Sequence, residues 1–212
     1  MQPEAQAVLA HHFPDLRTQE QAARLGMWLF LATEVLLFAA LFTAYTLYRF
    51  LFSETFQQAS ALMDTGLGAT NTVVLITSSL TVALAIHQVR QGKGKAAAIL
   101  LLVTLAFGAT FMVVKYFEYS HHFHEGQLPG RYYAYADLRV PGVSMFFTLY
   151  FLMTGLHGLH VLVGMSVLAF LAVRCWRGAY SAAYHTPVEL GGLYWHLVDL
   201  IWIFLFPLLY LI

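Results

Sequence analysis

Residues 142–174 read GVSMFFTLYFLMTGLHGLHVLVGMSVLAFLAVR, with no Asp, Glu, Lys or Arg before the closing Arg174. A hydrocarbon core of about 30 Å takes roughly 20 helical residues to cross, so this run spans a bilayer with tilt or overhang to spare. Four further apolar runs lie at about Gly26 to Phe50, Thr70 to His87, Ala96 to Tyr116 and Glu189 to Ile212. Isolated strands cannot satisfy their backbone in lipid, so all five runs are expected to be helices. Pro141 and Pro187 stand just before the fourth and fifth runs, where proline suits a helix start. The expected fold is all-α: a polytopic membrane protein whose residues 26–212 form a single five-transmembrane-helix bundle behind a cytoplasmic N-terminal segment, 1–25.

Composition agrees with a lipid environment. Of 212 residues, 59% are hydrophobic and 10% charged, against about 25% charged in a soluble domain. Zero formal net charge and the lack of a long basic run argue against nucleic acid as a partner. One cysteine, Cys175, excludes a disulfide framework and any paired-cysteine metal or haem-attachment motif. The first two dozen residues carry Glu4, Asp15 and Glu20 and lack the basic start and apolar centre of a cleaved signal, so the first span is expected to direct insertion. Arg17, Arg24, Arg90, Lys93, Lys95, Arg174 and Arg177 fall on one side of the alternating spans, against Arg49, Lys115, Arg131 and Arg139 on the other. The positive-inside rule then places the N-terminus in the cytoplasm and the C-terminus outside. The longest connection, Phe117 to Val140, reads as an irregular surface cap.

Ionisable residues inside the spans are costly and mark candidate sites. Glu34 lies in the first span with only Phe30, Leu31, Leu37 and Phe38 one turn away, so it must face protein or trapped water. It reads either as a proton-exchanging carboxyl or as a structural acid bound to a neighbouring helix. In the fourth span, TGLHGLHVLVG puts His157 and His160 on one helix face, with Gly155, Gly158 and Gly164 thinning the surface for a close neighbour. Two nitrogens alone do not complete a redox site, so hydrogen bonding across a tight contact is expected ahead of metal or haem ligation. His196 and Asp199 are likewise three apart in the fifth span, as a carboxylate orienting an imidazole or as two mutually neutralised groups. Asn71, Thr72, Thr77, Ser78, Ser79 and Thr81 are interhelical hydrogen-bonding types. Lys115 and Glu118 have pair spacing at a span end, where a surface ion pair is expected. His121, His122 and His124 form the most metal-like local cluster, but on an expected loop without cysteine.

Several classes fall away. A membrane di-iron site needs about eight histidines, many spaced four apart, and a haem–copper catalytic subunit needs at least six inward-facing ligands; only three histidines lie deep in these spans. A copper-binding subunit needs paired cysteines. A proton-coupled membrane transporter using Glu34 stays open, although no internal repeat is visible and only Pro207 interrupts a span.

The same residues carry a resemblance. The segment from Arg24 through Gly26, Met27 and Glu34 to Val35, the Asn71-Thr72…Ser78-Ser79…Thr81 series, Glu118-Tyr119, Thr154-Gly155-Leu156-His157-Gly158-Leu159-His160-Val161 and Tyr194-Trp195-His196-Leu197-Val198-Asp199 resemble subunit III of the haem–copper respiratory oxidases. The likeness runs from Arg24 onward; the sequence departs from the seven-helix form in lacking its first two helices and matches the five-helix bacterial form.

The resemblance implies a non-catalytic subunit of a proton-pumping terminal oxidase, cytochrome c oxidase in the first instance, supporting complex stability, proton uptake and sustained oxygen reduction. A quinol oxidase or a nitric-oxide-reductase-associated homologue is the alternative within the family. It implies no active site and no cofactor in this chain, with haem and copper in partner subunits. Expected partners are the catalytic subunit I, subunit II, a small subunit IV and phospholipids, in the bacterial cytoplasmic (inner) membrane. Glu34, His157, His160, His196 and Asp199 would form a buried polar, proton-linked cluster, and Arg24, Trp28 and Arg174 would contact lipid or a neighbouring subunit.

Overall fold

The computed structural model describes residues 9–10, 12–136 and 138–212; Glu4, with the rest of residues 1–8 of the expected N-terminal segment, and residue 11 lie outside that set. Six α-helices follow one another: α1 (Leu16–Leu51), α2 (Ser53–Ser60), α3 (Thr65–Arg90), α4 (Gly94–His124), α5 (Val143–Trp176) and α6 (Thr186–Tyr210), with one 3-10 turn at Gly130–Tyr132. Strands are absent among the described residues. All helices but α2 are long and apolar enough to cross a membrane. The protein is an all-α, five-span membrane protein.

Helices α1 and α3 begin before the apolar runs, each capped by an aspartate side chain. Asp15 accepts a hydrogen bond of 2.7 Å from the Thr18 N–H, so α1 starts ten residues before the expected span. At 36 residues it is about 54 Å long, well beyond a hydrocarbon core. Asp64 caps α3 in the same way through the Leu67 N–H. The expected irregular cap from Phe117 onward is corrected for its first third: α4 continues to His124, so His121, His122 and His124 are helical. Gly142 precedes α5 at φ +91°, and a Cβ there would meet the Phe52 ring at 2.6 Å, so glycine is needed both for conformation and for space.

Helices α3, α4, α5 and α6 pack as a four-membered bundle in which α4 and α6 each touch both α3 and α5. Helix α1 lies outside it, against α5 and α6. Its most apolar stretch is only 11% buried, against 50% for α6, which is therefore the central element. Two indoles from α6 anchor the bundle to α3: Trp195 donates to Ser78 Oγ at 2.9 Å and Trp202 to Thr72 Oγ1 at 3.0 Å. Buried indoles need such partners, and these hydroxyls fix the axial register of the two helices. The short α2 folds back beneath the bundle, where Phe56 sits edge-on between Tyr45 and Phe146.

Candidate functional site

Glu34 meets His160 across the α1–α5 contact, with Oε2 2.8 Å from Nε2 and side chains 16% and 12% exposed. The other ring nitrogen, Nδ1, lies 2.7 Å from the Leu156 carbonyl oxygen. A carbonyl only accepts, so Nδ1 carries a hydrogen. Nε2 and the carboxyl oxygen then hold one proton between them, as carboxylic acid facing imidazole or as carboxylate facing imidazolium. Either form is neutral overall, and that is how an acid is tolerated at this depth. Phe38 covers the imidazole edge-on at 5.2 Å.

His157 does not join this pair. It is fully buried in the four-helix core, between the rings of Phe111 and Trp202, and neither nitrogen has a hydrogen-bond partner. The two histidines of the TGLHGLH motif thus serve different neighbours. The glycines divide as well. Gly164 faces Trp195 at close range, but Gly155 and Gly158 line an open, mainly apolar groove of about 600 Å³ between α4 and α5, so the expected tight contact forms only at Gly164.

His196 and Asp199 are not bonded to each other. His196 Nδ1 lies 2.5 Å from Ser79 Oγ, while both Asp199 oxygens, buried beside Ser78 and Ser79, lack a well-formed hydrogen bond. The expected single cluster is therefore divided among three sets of contacts: Glu34 with His160, His157 among rings, and His196 and Asp199 beside the serines of α3.

Lys115 and Glu118 are a correction. In place of a surface pair, they form an ion pair of 3.1 Å with side chains only 8% and 2% exposed. Lys115 Nζ also donates to the hydroxyls of Tyr150 (3.0 Å) and Tyr210 (3.1 Å). Both tyrosines in turn donate to Glu118 Oε1. Four rings, those of Tyr119, Tyr150, Trp202 and Tyr210, lie 4.9–5.8 Å from the ammonium. A buried charge pair is tolerable only when its remaining donors and acceptors are filled, and here α5 and α6 fill them. The sequence signal was the Lys115, Glu118, His122 spacing along one helix face, which the loop expectation broke off.

At the opposite end, Glu189 is a second junction that sequence reasoning missed. It accepts from Arg24 of α1 at 3.1 Å and from Arg90 of α3 at 2.6 and 2.9 Å, with His185 Nε2 at 3.0 Å. Arg24 is still half exposed, Trp28 is exposed, and Arg174 stacks on Tyr180. Among the described residues, no three His, Cys, Asp or Glu side chains converge as a metal site.

A family model described as cytochrome c oxidase subunit III matches residues 6–212. Among curated relatives, the chain is 30% identical over 192 residues to "Quinol oxidase subunit 3" of Bacillus spizizenii, covering 88% of this chain and 85% of that one. It is 33% identical over 210 residues to "Cytochrome c oxidase subunit 3" of Lumbricus terrestris, covering 95% and 73%. It is 29% identical over 199 residues to "Heme-copper oxidase subunit I+III" of Aeropyrum pernix, covering 89% of this chain and 22% of that protein.

Proposed function

The chain belongs to the cytochrome c oxidase subunit III family, and on that premise we propose that it is the non-catalytic subunit III of a proton-pumping terminal oxidase, with cytochrome c as electron donor, in a bacterial inner membrane. The observation that carries the reading is the family match over residues 6–212. Haem and copper belong to partner subunits. Subunit I is the first partner; a relative named as subunit I+III in one chain supports that pairing. Subunit II, a small subunit IV and phospholipids complete the set. The excess of Lys and Arg at the α1 start, the α3–α4 turn and the α5 end supports a cytoplasmic N-terminus.

The polar chemistry of the spans supports a scaffolding role. Glu34–His160 ties α1 to α5, Lys115–Glu118 ties α4 to α5 and α6, and Glu189 ties α1, α3 and α6. Among them, the Glu34–His160 pair, with its one shared proton, is the group fitted to influence proton uptake. His157, His196 and Asp199 serve as interior packing groups, and Trp28, Arg24 and Arg174 face lipid or a neighbouring subunit.

The Bacillus spizizenii relative favours a quinol oxidase as the second reading. Tagging this chain in its host, isolating the intact complex and identifying its subunits and haems tests both. Co-purification with a haem–copper subunit I and a subunit II with a dinuclear copper site supports the first. A subunit II without copper selects the second, and recovery without any haem protein overturns both.

A further inference from the structure

Beyond the ion pair itself, the end of the bundle where α3 begins and α4 ends holds a half-open chamber of about 350 Å³. Its rim carries the exposed Asp64 and His121, Leu67 lines it, and Glu118 and His122 lie in its wall. His122 is 1% exposed, yet its Nε2 has no hydrogen-bond partner and stands 4.0 Å from Glu118 Oε1. Its Nδ1 is fixed 2.5 Å from Gln127 Oε1, and the Gln127 N–H is bonded to the His122 carbonyl. With that oxygen as acceptor, Nδ1 carries the hydrogen and Nε2 presents a lone pair. A buried, unpartnered lone pair on a residue lining a partly polar chamber calls for a partner, and the chamber has room for several waters at about 30 Å³ each. Helix α4 is 31 residues long, about 46 Å, so its last turns reach the bilayer surface.

We propose that this chamber is a proton-exchange site, in which water admitted past Asp64 and His121 exchanges protons with His122 Nε2 beside the buried Glu118 carboxylate. A hydronium ion gives its proton to the Nε2 lone pair and leaves as water; the imidazolium so formed faces the carboxylate. The reverse step returns the proton to water, and no other bond changes. The charged and titratable groups around the imidazole and its carboxylate are Lys115, Glu118 and His121 on α4, the Tyr150 hydroxyl from α5, the Tyr210 hydroxyl from α6 and Asp64 before α3. Lys115 and Glu118 cancel, and the two hydroxyls keep Glu118 an acceptor, so the carboxylate remains in place to receive the imidazolium.

Deuterium exchange at the imidazole C2 position, read by mass spectrometry of each histidine in the purified complex, tests this directly. His121 is the exposed reference and His157 the sealed one. We expect His122 to exchange at least tenfold faster than His157, on the order of the rate at His121 despite its burial, with a sigmoidal dependence on pH. A His122 rate as slow as that of His157, or a flat pH profile, overturns the proposal. Leu67→Trp, which fills the chamber from the α3 side and substitutes no member of the ion pair, is expected to slow His122 far more than the exposed His121. An unchanged His122 rate in that variant overturns the route through the chamber, and the wild-type comparison decides the matter should the variant not fold.

Discussion

Lys115 Nζ lies 3.1 Å from Glu118 Oε2 inside the helical bundle, with both side chains under 10% exposed. Two buried charges are stable here only as a set, because each neutralises the other and two tyrosine hydroxyls close the ring. Removing one partner leaves an uncompensated charge, at a cost of about 3–5 kcal/mol. Lys115→Met or Glu118→Gln alone is therefore expected to destabilise the chain strongly, whereas the double variant recovers much of the loss. Thermal unfolding of the purified complex, read as a double-mutant cycle, measures the coupling. Additive losses would mean that the pair contributes no mutual stabilisation.

Glu34 and His160 share one proton across the only large polar contact between α1 and α5 among the described residues. Glu34→Gln keeps a donor aimed at Nε2 but removes the exchangeable acid. Assembly and initial oxidase activity are expected to survive, while the pH dependence of turnover or its durability changes. Glu34→Leu abolishes the hydrogen bond as well, and is expected to loosen α1. Oxygen consumption followed over many turnovers at several pH values separates the two effects. A Gln variant identical to the parent in both respects would reduce Glu34 to a structural group.

Span number and helical class were legible because length and hydropathy alone decide them. The partners were not. Glu34 visibly required shelter, but its shelter, His160, lies 126 residues away and depends on the rotation of two helices about their axes. Lys115 and Glu118 looked like an exposed pair because spacing along one helix says nothing about what covers it; the covering hydroxyls come from Tyr150 and Tyr210. The overrun of α4 was hidden for a related reason: once the apolar run ended at Tyr116, the burial of Glu118 and His122 by tertiary contacts kept the helix going. His196 and Asp199 shared a face as read, yet Ser79 captured the imidazole from α3.

Glu189 holds Arg24 and Arg90 near the surface, where exposed ion pairs contribute about 0–1 kcal/mol each. Glu189→Gln is accordingly expected to cost little global stability. It removes the charge junction through which Arg24 of α1 and Arg90 of α3 meet α6, so amide exchange across residues 16–26 should quicken while α3 and α6 stay protected. Uniform protection across all three helices would show that apolar packing alone holds α1.

The TGLHGLHVLVG motif makes two opposite forecasts for the same substitution type. A Cβ at Gly164 would lie 2.9 Å from Trp195 Cε3, and the indole cannot retreat because its Nε1 is bonded to Ser78. Overpacking of this kind costs about 1–3 kcal/mol, so Gly164→Ala should lower the unfolding temperature, and Gly164→Val should lower it further. At Gly158 nothing lies within 4 Å of the added atom, and alanine is the better helix former by about 0.5–1 kcal/mol. Gly158→Ala should therefore be neutral or stabilising in this chain. Should it weaken the assembled complex instead, the open groove beside Gly158 is occupied there, and the added methyl group has displaced the occupant.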